Sequence, residues 1–171
     1  MEQHATLIGS DIDAKQVADT NKNLDWMVEK HLISQEQRAR INCFPHDARL
    51  IDNFIHEPVE VIVTEGFLGT PLRGHEPVAY LEEGARNIKK LWEESLMAFA
   101  KIQPTNGVVI GVWPELQTPQ GRAAVELGRE VREAGYQLVD PLGDWTDAEK
   151  DLVYARADQM VKRRIVVLKK Q

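Results

Sequence analysis

Short apolar stretches alternate along the chain with longer segments whose apolar residues recur at helical spacing. The short stretches predict strands at residues 5–12, 40–44, 59–64, 108–113, 136–139 and 163–168. The periodic segments predict helices at residues 14–32, 77–102 and 121–134. This alternation is typical of an α/β protein with a mainly parallel sheet.

Length and composition predict one globular domain over residues 1–171, because 43% of the 171 residues are hydrophobic and no linker or repeat interrupts them. No apolar run approaches the roughly 20 residues that span a membrane. The N-terminus shows no signal-peptide pattern, so the prediction is a cytoplasmic protein without a membrane partner. Cys43 is the only cysteine, which excludes internal disulfides, and no metal site is predicted.

The charge balance is acidic, with 21 basic against 27 acidic residues and a formal net charge of −6. A free-standing nucleic-acid-binding protein usually carries a basic balance or a basic stripe. Here the basic residues cluster only weakly near the end of the chain, at residues 162–164 and 169–170. If the substrate is RNA, we expect another domain or subunit to supply the main phosphate contacts.

Polar residues follow three of the predicted strands, where ligands of an open parallel sheet bind. A carboxylate after the first strand can accept both hydroxyls of a ribose, and a second acid can accept from an adenine amino group. A polar residue and an aromatic after the third strand can hold a substrate base. The three sets are Asp11 with Ile12 and Asp13, then Asp47 with Ala48, then residues 64–69.

Each of these residues also has a purely structural interpretation. For Asp13 the role of helix N-cap is favoured over that of a ligand. Asp11 fits a plain loop acid equally well, and Asp47 fits the cap of a short helix. Phe67 and Leu68 fit loop residues that cover the core. The binding interpretation rests on all three strand ends carrying suitable groups in the right order.

The motifs Gly-Ser-Asp-Ile-Asp at 9–13, Asn-Lys-Asn-Leu at 21–24 and His-Asp-Ala at 46–48 resemble the RNA guanine methylase family. That family includes the THUMP-linked tRNA guanosine methyltransferases and their bacterial relatives. The resemblance covers nearly the whole chain, including Gly-Tyr-Gln-Leu at 135–138. It implies a class I methyltransferase that uses S-adenosylmethionine (SAM), with a Rossmann-like, mainly parallel sheet and an antiparallel C-terminal strand.

The resemblance also implies roles for the residues of the first two strand ends. Asp11 would bind the SAM ribose, with Ile12 packing on the adenine and Asp13 belonging to the same motif. Asp47 and Ala48 would lie against the adenine.

At the third strand end the chain departs from the family, which has Asp-Pro-Pro-Tyr where this chain has Thr-Glu-Gly-Phe-Leu-Gly at 64–69. That motif accepts hydrogen bonds from an exocyclic amine while its aromatic ring stacks on the base. Thr64 or Glu65 can accept, with Glu65 favoured, and Phe67 can stack. The loss of both prolines is expected to loosen the loop.

The remainder of this loop supplies candidate substrate contacts. Leu68 and Gly69 begin an extension that runs to residue 74 and is long enough to cover a base. Arg73 lies in this extension and is a candidate contact to a phosphate.

The glycine-rich motif that opens such domains is not found, because only residues 1–4 precede the first predicted strand and a strand with its crossover helix needs about 30 residues. In the fold that the resemblance implies, the missing strand lies between the strands at 5–12 and 59–64. We therefore expect these strands to pair with each other, with another copy of the chain, or with a swapped or complementing N-terminal segment, and direct pairing or self-association is favoured. A fragment of a longer gene product is a further alternative.

Several functions compete. The leading one is methylation of a guanine exocyclic amine in tRNA or another RNA by the completed domain. The second is a non-catalytic remnant or accessory subunit with the same fold. The third is a DNA amino-methyltransferase, which would need base flipping. A nucleotide-binding dehydrogenase fragment is disfavoured because it leaves the loop at 64–74 unexplained.

Overall fold

A computed structural model describes residues 5–140 and 152–171 of the chain. The chain divides into two compact units, Met1–Phe54 and Ile55–Gln171. No helix in the described part of the chain is both long and apolar enough to cross a bilayer.

The first unit is built around two parallel strands. Its elements are β1 (Leu7–Asp11), α1 (Ala14–Glu29), α2 (Gln35–Arg38), β2 (Ile41–Pro45) and a short 3-10 helix (Ala48–Asn53). Leu7 lies opposite Ile41 and Asp11 opposite Pro45, so both strands end at the same edge. Helix α1 begins where Asp13 accepts a hydrogen bond from the backbone N–H of Lys15, which confirms the predicted N-cap.

The described residues of the second unit form a six-stranded sheet and two helices. Its elements are β3 (Val61–Thr64), α3 (Val78–Ile102), β4 (Val108–Thr118), β5 (Gly121–Ala124), α4 (Gly128–Glu133), β6 (Tyr136–Val139), β7 (Leu152–Tyr154) and β8 (Val161–Lys170). The strand order is β3-β4-β8-β6, with β5 beside β4 and β7 beside β8. Strand β3 is parallel to β4, whereas β8 is antiparallel to β4 and β6. The predicted α/β class with an antiparallel C-terminal strand is confirmed.

The core of the second unit lies between α3 and the sheet. One face of α3 is buried at helical spacing, and this face includes Leu81, Ile88, Trp92, Leu96 and Phe99. The long predicted helix at 77–102 is thereby confirmed almost to the residue.

The segment 121–134 differs from its predicted helix. Residues 121–124 instead form β5, antiparallel to β4, and only Gly128–Glu133 is helical. A two-residue turn separates Thr118 from Gly121, whose φ of 152° suits glycine. The prediction was wrong because pairing with the end of β4 outweighs the helix propensity of this alanine-containing segment.

Strands β1 and β3 are both edge strands among the described residues, since β1 pairs only with β2 and β3 only with β4. The predicted direct pairing between these two strands is therefore not the arrangement found. Val61 and Val63, on one face of β3, are 55% and 73% exposed. A two-stranded sheet such as β1–β2 is marginally stable by itself.

Candidate functional site

The carboxyl ends of β1 and β2 bring the first two candidate sets side by side. The backbone N–H of His46 donates to the carbonyl of Asp11 at 2.9 Å, which extends the strand pairing by one residue. Asp11 with its neighbours and Asp47 therefore lie at one edge of the first unit.

Asp11 keeps one carboxylate oxygen available for a ligand. Its Oδ1 accepts from the backbone N–H of Asp13 at 2.8 Å, which is a local turn. None of the described residues donates a hydrogen bond to its Oδ2. The adjacent Ile12 is 72% exposed. A carboxylate oxygen beside an exposed aliphatic side chain fits a ribose hydroxyl and an adjoining purine face.

Asp13 and Asp47 are engaged within the protein. The Oδ1 of Asp13 caps α1 through the backbone N–H of Lys15 at 2.8 Å. Asp47 caps the 3-10 helix through the backbone N–H of Arg49 at 2.9 Å and also pairs with the Arg49 guanidinium at 2.6 Å. The guanidinium holds the pKa of Asp47 below its usual range. Ala48, beside it, is half-buried.

An aromatic cluster holds the 3-10 helix against β2. The rings of Phe44 and Phe54 lie 4.3 Å apart between centroids, and His46 lies 5.2 Å from Phe54. His46 Nε2 is 3.1 Å from the carbonyl oxygen of Leu50. These contacts position Asp47 and Ala48 at the strand end.

The third candidate set lies at the end of β3, in the loop of residues 65–77, here named the β3–α3 loop. Three of its glycines have positive φ, namely Gly66 at 67°, Gly69 at 100° and Gly74 at 93°. Proline is locked near −65°. A proline at position 66, as in Asp-Pro-Pro-Tyr, is therefore incompatible with this backbone.

The floor of the β3–α3 loop is the indole of Trp92, a residue of α3 that is 3% exposed. A Cβ on Gly66 would lie 3.6 Å from this ring, and a Cβ on Gly111 in β4 would lie only 2.5 Å from it. The Nε1 of Trp92 is buried and has no hydrogen-bond partner among the described residues. Close packing of glycine backbone on the indole fixes the position of the loop.

The far end of the loop is held by Glu76. Its carboxylate accepts from the backbone N–H groups of Arg73 at 2.6 Å, Gly74 at 2.9 Å and His75 at 3.1 Å. These bonds, that from Arg73 foremost, lower the pKa of Glu76. Its carbonyl accepts from the hydroxyl of Thr118 at 3.1 Å. The loop is thus fixed at this end as well.

The near end of the loop carries Glu65, which forms an ion pair with Arg163. The Nε of Arg163 donates to Oε1 of Glu65 at 2.8 Å. Arg163 belongs to β8, 98 residues further along the chain. Two residues on, the ring of Phe67 is more than half exposed. An acceptor held by an ion pair is therefore followed, two residues on, by an exposed aromatic ring.

The other predicted residues of this set differ in exposure. Thr64 ends β3 opposite Gly111 and is half-buried, as are Leu68 and Gly69. The side chain of Arg73 is exposed. Of these residues, Arg73 is the one with the access that a phosphate contact requires.

The basic cluster at residues 162–164 makes contacts within the protein. Lys162 pairs with Glu115 at 2.8 Å, and Arg163 pairs with Glu65. Arg164 donates to the carbonyl of Val125 at 3.2 Å and lies 5.3 Å above the Trp113 ring. These cations hold the sheet and the loop in place.

Sequence reasoning missed the residues that orient the candidate carboxylates and those that hold the β3–α3 loop. The sequence contains a local indication for Arg49, since it lies two residues after Asp47. It also contains one for Glu76, an acid that follows a glycine-containing turn. It contains none for Arg163 and Trp92, because their partners lie far away along the chain.

No protein-family model and no curated protein matches the chain. Several solved structures are similar to it. The chain aligns with TrmN from Thermus thermophilus at 18% identity and a TM-score of 0.53, over 97% of this chain and 36% of that one. It aligns with a protein from Clostridium thermocellum named as an rRNA-methylase at 15% identity and a TM-score of 0.51, over 97% and 75% of the two chains.

A further match is the magnesium protoporphyrin IX methyltransferase ChlM from Synechocystis PCC 6803, whose structure contains bound SAH. The identity is 10% and the TM-score 0.57, over 98% of this chain and 64% of that one. The chain thus spans about a third of TrmN and less than two thirds of ChlM. At these identities the likeness concerns the fold alone, and the chain has a Rossmann-like fold similar to that of these methyltransferases.

Proposed function

We propose that the chain is the donor-binding and base-holding part of a SAM-dependent methyltransferase that acts on a guanine exocyclic amine in RNA, with tRNA the favoured class. The observation that carries this proposal is that Glu65, an acceptor held by Arg163 after the end of β3, is followed two residues later by the exposed ring of Phe67. Support for RNA comes from the guanine methylase motifs and from the similarity to a protein named as an rRNA-methylase.

The first unit supplies the donor contacts in this proposal. Asp11 accepts the ribose hydroxyls through its available oxygen, and Ile12 covers the adenine. Ala48 packs on the same ring, and Asp47, oriented by Arg49, faces its amino group. Asp13 keeps its structural role at α1. SAM supplies the methyl group, and these residues bind and orient it, in keeping with the SAH bound to ChlM.

The β3–α3 loop supplies the substrate contacts. Glu65 accepts an N–H of the guanine amine, with the hydroxyl of Thr64 as a second acceptor, so that the nitrogen lone pair is left free to take the methyl group. Phe67 stacks on the base. Leu68 and Gly69 shape the loop beneath it, and Arg73 contacts a phosphate.

Other parts of the assembly supply what this chain does not. Because the chain is acidic and residues 162–164 are engaged internally, most phosphate contacts come from another domain or subunit. The open edges of β1 and β3 accept a complementing N-terminal segment or a second copy of the chain.

Donor binding is tested by calorimetry with SAM on the chain completed by a strand and glycine-rich loop, as wild type and as Asp11→Ala, because the chain alone is expected to bind SAM weakly or not at all. The variant should bind more weakly by about 1–3 kcal/mol, since a charged hydrogen-bond acceptor is lost. Asp19→Ala is the matched control, because Asp19 is an acid of α1 whose side chain is 42% exposed and pairs with Lys15 and Lys22. Equal SAM affinity of wild type and Asp11→Ala would exclude the donor role of Asp11.

Methyl transfer is tested with SAM carrying a labelled methyl group, on tRNA transcripts and on DNA of matching sequence. The protein is the chain with a complementing strand and glycine-rich loop supplied. Glu65→Gln should slow transfer to RNA, whereas Glu133→Gln should not; the two side chains are 55% and 58% exposed and both face an arginine. Transfer to DNA alone would identify a DNA amino-methyltransferase.

A second candidate function is that of a non-catalytic accessory subunit. It is favoured by the engagement of both Asp47 and Glu65 with arginines and by the positive φ of Gly66, which differs from the proline-containing motif. This alternative would be supported if no completed form of the chain transferred a methyl group and none of them bound SAM.

A further inference from the structure

A residue of strand β7 lies beside the ion pair between Glu65 and Arg163. In the antiparallel pairing of β7 with β8, Tyr154 lies directly opposite Arg163. Side chains of directly opposite residues project from the same face, with Cβ atoms about 4.5–5.5 Å apart. Tyr154 and Glu65 therefore both adjoin the Arg163 side chain.

Arg156 also contacts the side chain of Tyr154. Its Nε donates to the Tyr154 hydroxyl at 2.9 Å, and its guanidinium carbon lies 5.8 Å from the ring centroid. A guanidinium has five N–H donors, of which this bond uses one. We name the group of Glu65, Tyr154, Arg156 and Arg163 the Arg163 cluster.

Packing in the core does not explain the presence of Tyr154 and Arg156 in this cluster. Tyr154 is 46% exposed, and Arg156 is exposed. Neither belongs to the core, and the strand that carries Tyr154 pairs only with β8 among the described strands. An exposed aromatic ring, held by a cation next to an oriented carboxylate, is an arrangement suited to a ligand.

The chemistry of the Arg163 cluster matches an unpaired nucleotide. Aromatic rings stack on bases that are free of a duplex, and guanidinium groups bind phosphate. A carboxylate accepts from N–H groups, which guanine presents on its Watson–Crick edge. The guanidinium of Arg156 has no carboxylate partner among the described residues, unlike that of Arg163, so its charge is available to an anion.

We propose that Tyr154 and Arg156 contact the RNA next to the target base, with Tyr154 stacking on a base of a single-stranded segment and Arg156 binding its phosphate. This inference rests on the proposed function and adds that the substrate is single-stranded or locally unpaired at this point. It also assigns to strand β7 a substrate contact that lies outside the β3–α3 loop.

The test is the affinity of the 171-residue chain for a fluorescent, guanine-containing single-stranded RNA, measured by anisotropy over a range of salt concentrations. Tyr154→Ala should weaken binding about 5- to 150-fold, which is the usual effect of removing one base-stacking ring. Tyr154→Phe should retain binding, because the ring remains. Arg156→Ala should weaken binding and lower the salt dependence by about one phosphate contact.

The controls are Tyr80→Ala and Arg86→Ala on α3. Tyr80 is 44% exposed, close to the 46% of Tyr154, and Arg86 is exposed. Neither substitution should change the affinity. Equal effects of Tyr80→Ala and Tyr154→Ala would overturn the inference, as would tighter binding to DNA of the same sequence than to RNA.

Phe67→Ala separates the two proposals. If Phe67→Ala weakens RNA binding and the substitutions of Tyr154 and Arg156 do not, the inference is overturned while the proposed function stands. If the wild-type chain binds no RNA, the inference is overturned, whereas the proposed function, which assigns most phosphate contacts to another domain or subunit, is decided by the methyl-transfer assay. If none of the three substitutions changes the affinity, the inference is overturned together with the stacking role of Phe67.

Discussion

Replacing Gly111 by alanine tests the packing beneath the candidate substrate loop. Gly111 lies opposite Thr64, where β3 ends. An ideal Cβ at this position would lie 2.5 Å from Cη2 of Trp92, 3.2 Å from Cζ3 and 3.3 Å from Cζ2. Favourable contacts between carbon atoms begin at about 3.5 Å. The methyl group and the indole therefore cannot both keep their places.

The cost follows from the burial of Trp92. The indole is 3% exposed and its helix packs along its whole length, so the ring has little room to withdraw. Overpacking of this kind costs about 1–3 kcal/mol. Domains of this size are stable by about 5–15 kcal/mol, so the loss is measurable. With a urea m-value of about 2 kcal/mol per molar, the unfolding midpoint should fall by about 1 M.

The assay is urea unfolding followed by circular dichroism, with Gly128→Ala as the control. A Cβ on Gly128 would meet nothing closer than Arg132 Nη1 at 3.9 Å, and Gly128 begins α4. That variant should be neutral or more stable by about 0.5–1 kcal/mol. The smaller ring of Trp92→Phe should relieve part of the Gly111→Ala penalty in the double variant. An unchanged midpoint for Gly111→Ala, or strict additivity with Trp92→Phe, would refute this packing.

Two further predictions concern single polar groups. The hydroxyl of Tyr136 donates to Gln103 Oε1 at 2.7 Å in the core, so Tyr136→Phe should cost about 1–3 kcal/mol in urea unfolding, and no loss would refute the bond. The pKa of Glu76 is lowered on folding, so its bonds stabilise the loop above the unfolded pKa, and this stabilisation disappears as the pH falls through the folded pKa. The amide NMR signal of Gly74 should follow that transition in wild type and show none in Glu76→Gln; a midpoint at or above that of a model glutamate would contradict the prediction.

Local patterns in the sequence predicted those parts of the fold that depend on neighbouring residues. Asp13 precedes a helical apolar pattern and caps α1, and the stripe of α3 is buried where its spacing indicates. Strand β5 at residues 121–124 was not predicted, since it depends on pairing with Gln117 and its neighbours in β4. The partner of Glu65 was not predicted either, because 98 residues separate it from Arg163.

The β3–α3 loop shows how a different sequence can replace the rigidity that prolines provide. The loss of both prolines was expected to loosen this loop, because glycine frees the backbone. Instead, Glu65 is held by Arg163 at one end and Glu76 binds three backbone N–H groups at the other. Between them, the positive φ of Gly66 lets the backbone lie against Trp92, which no residue with a side chain would do without strain. The glycines thus serve close packing, and the carboxylates and the indole supply the constraint that fixed proline angles would otherwise give.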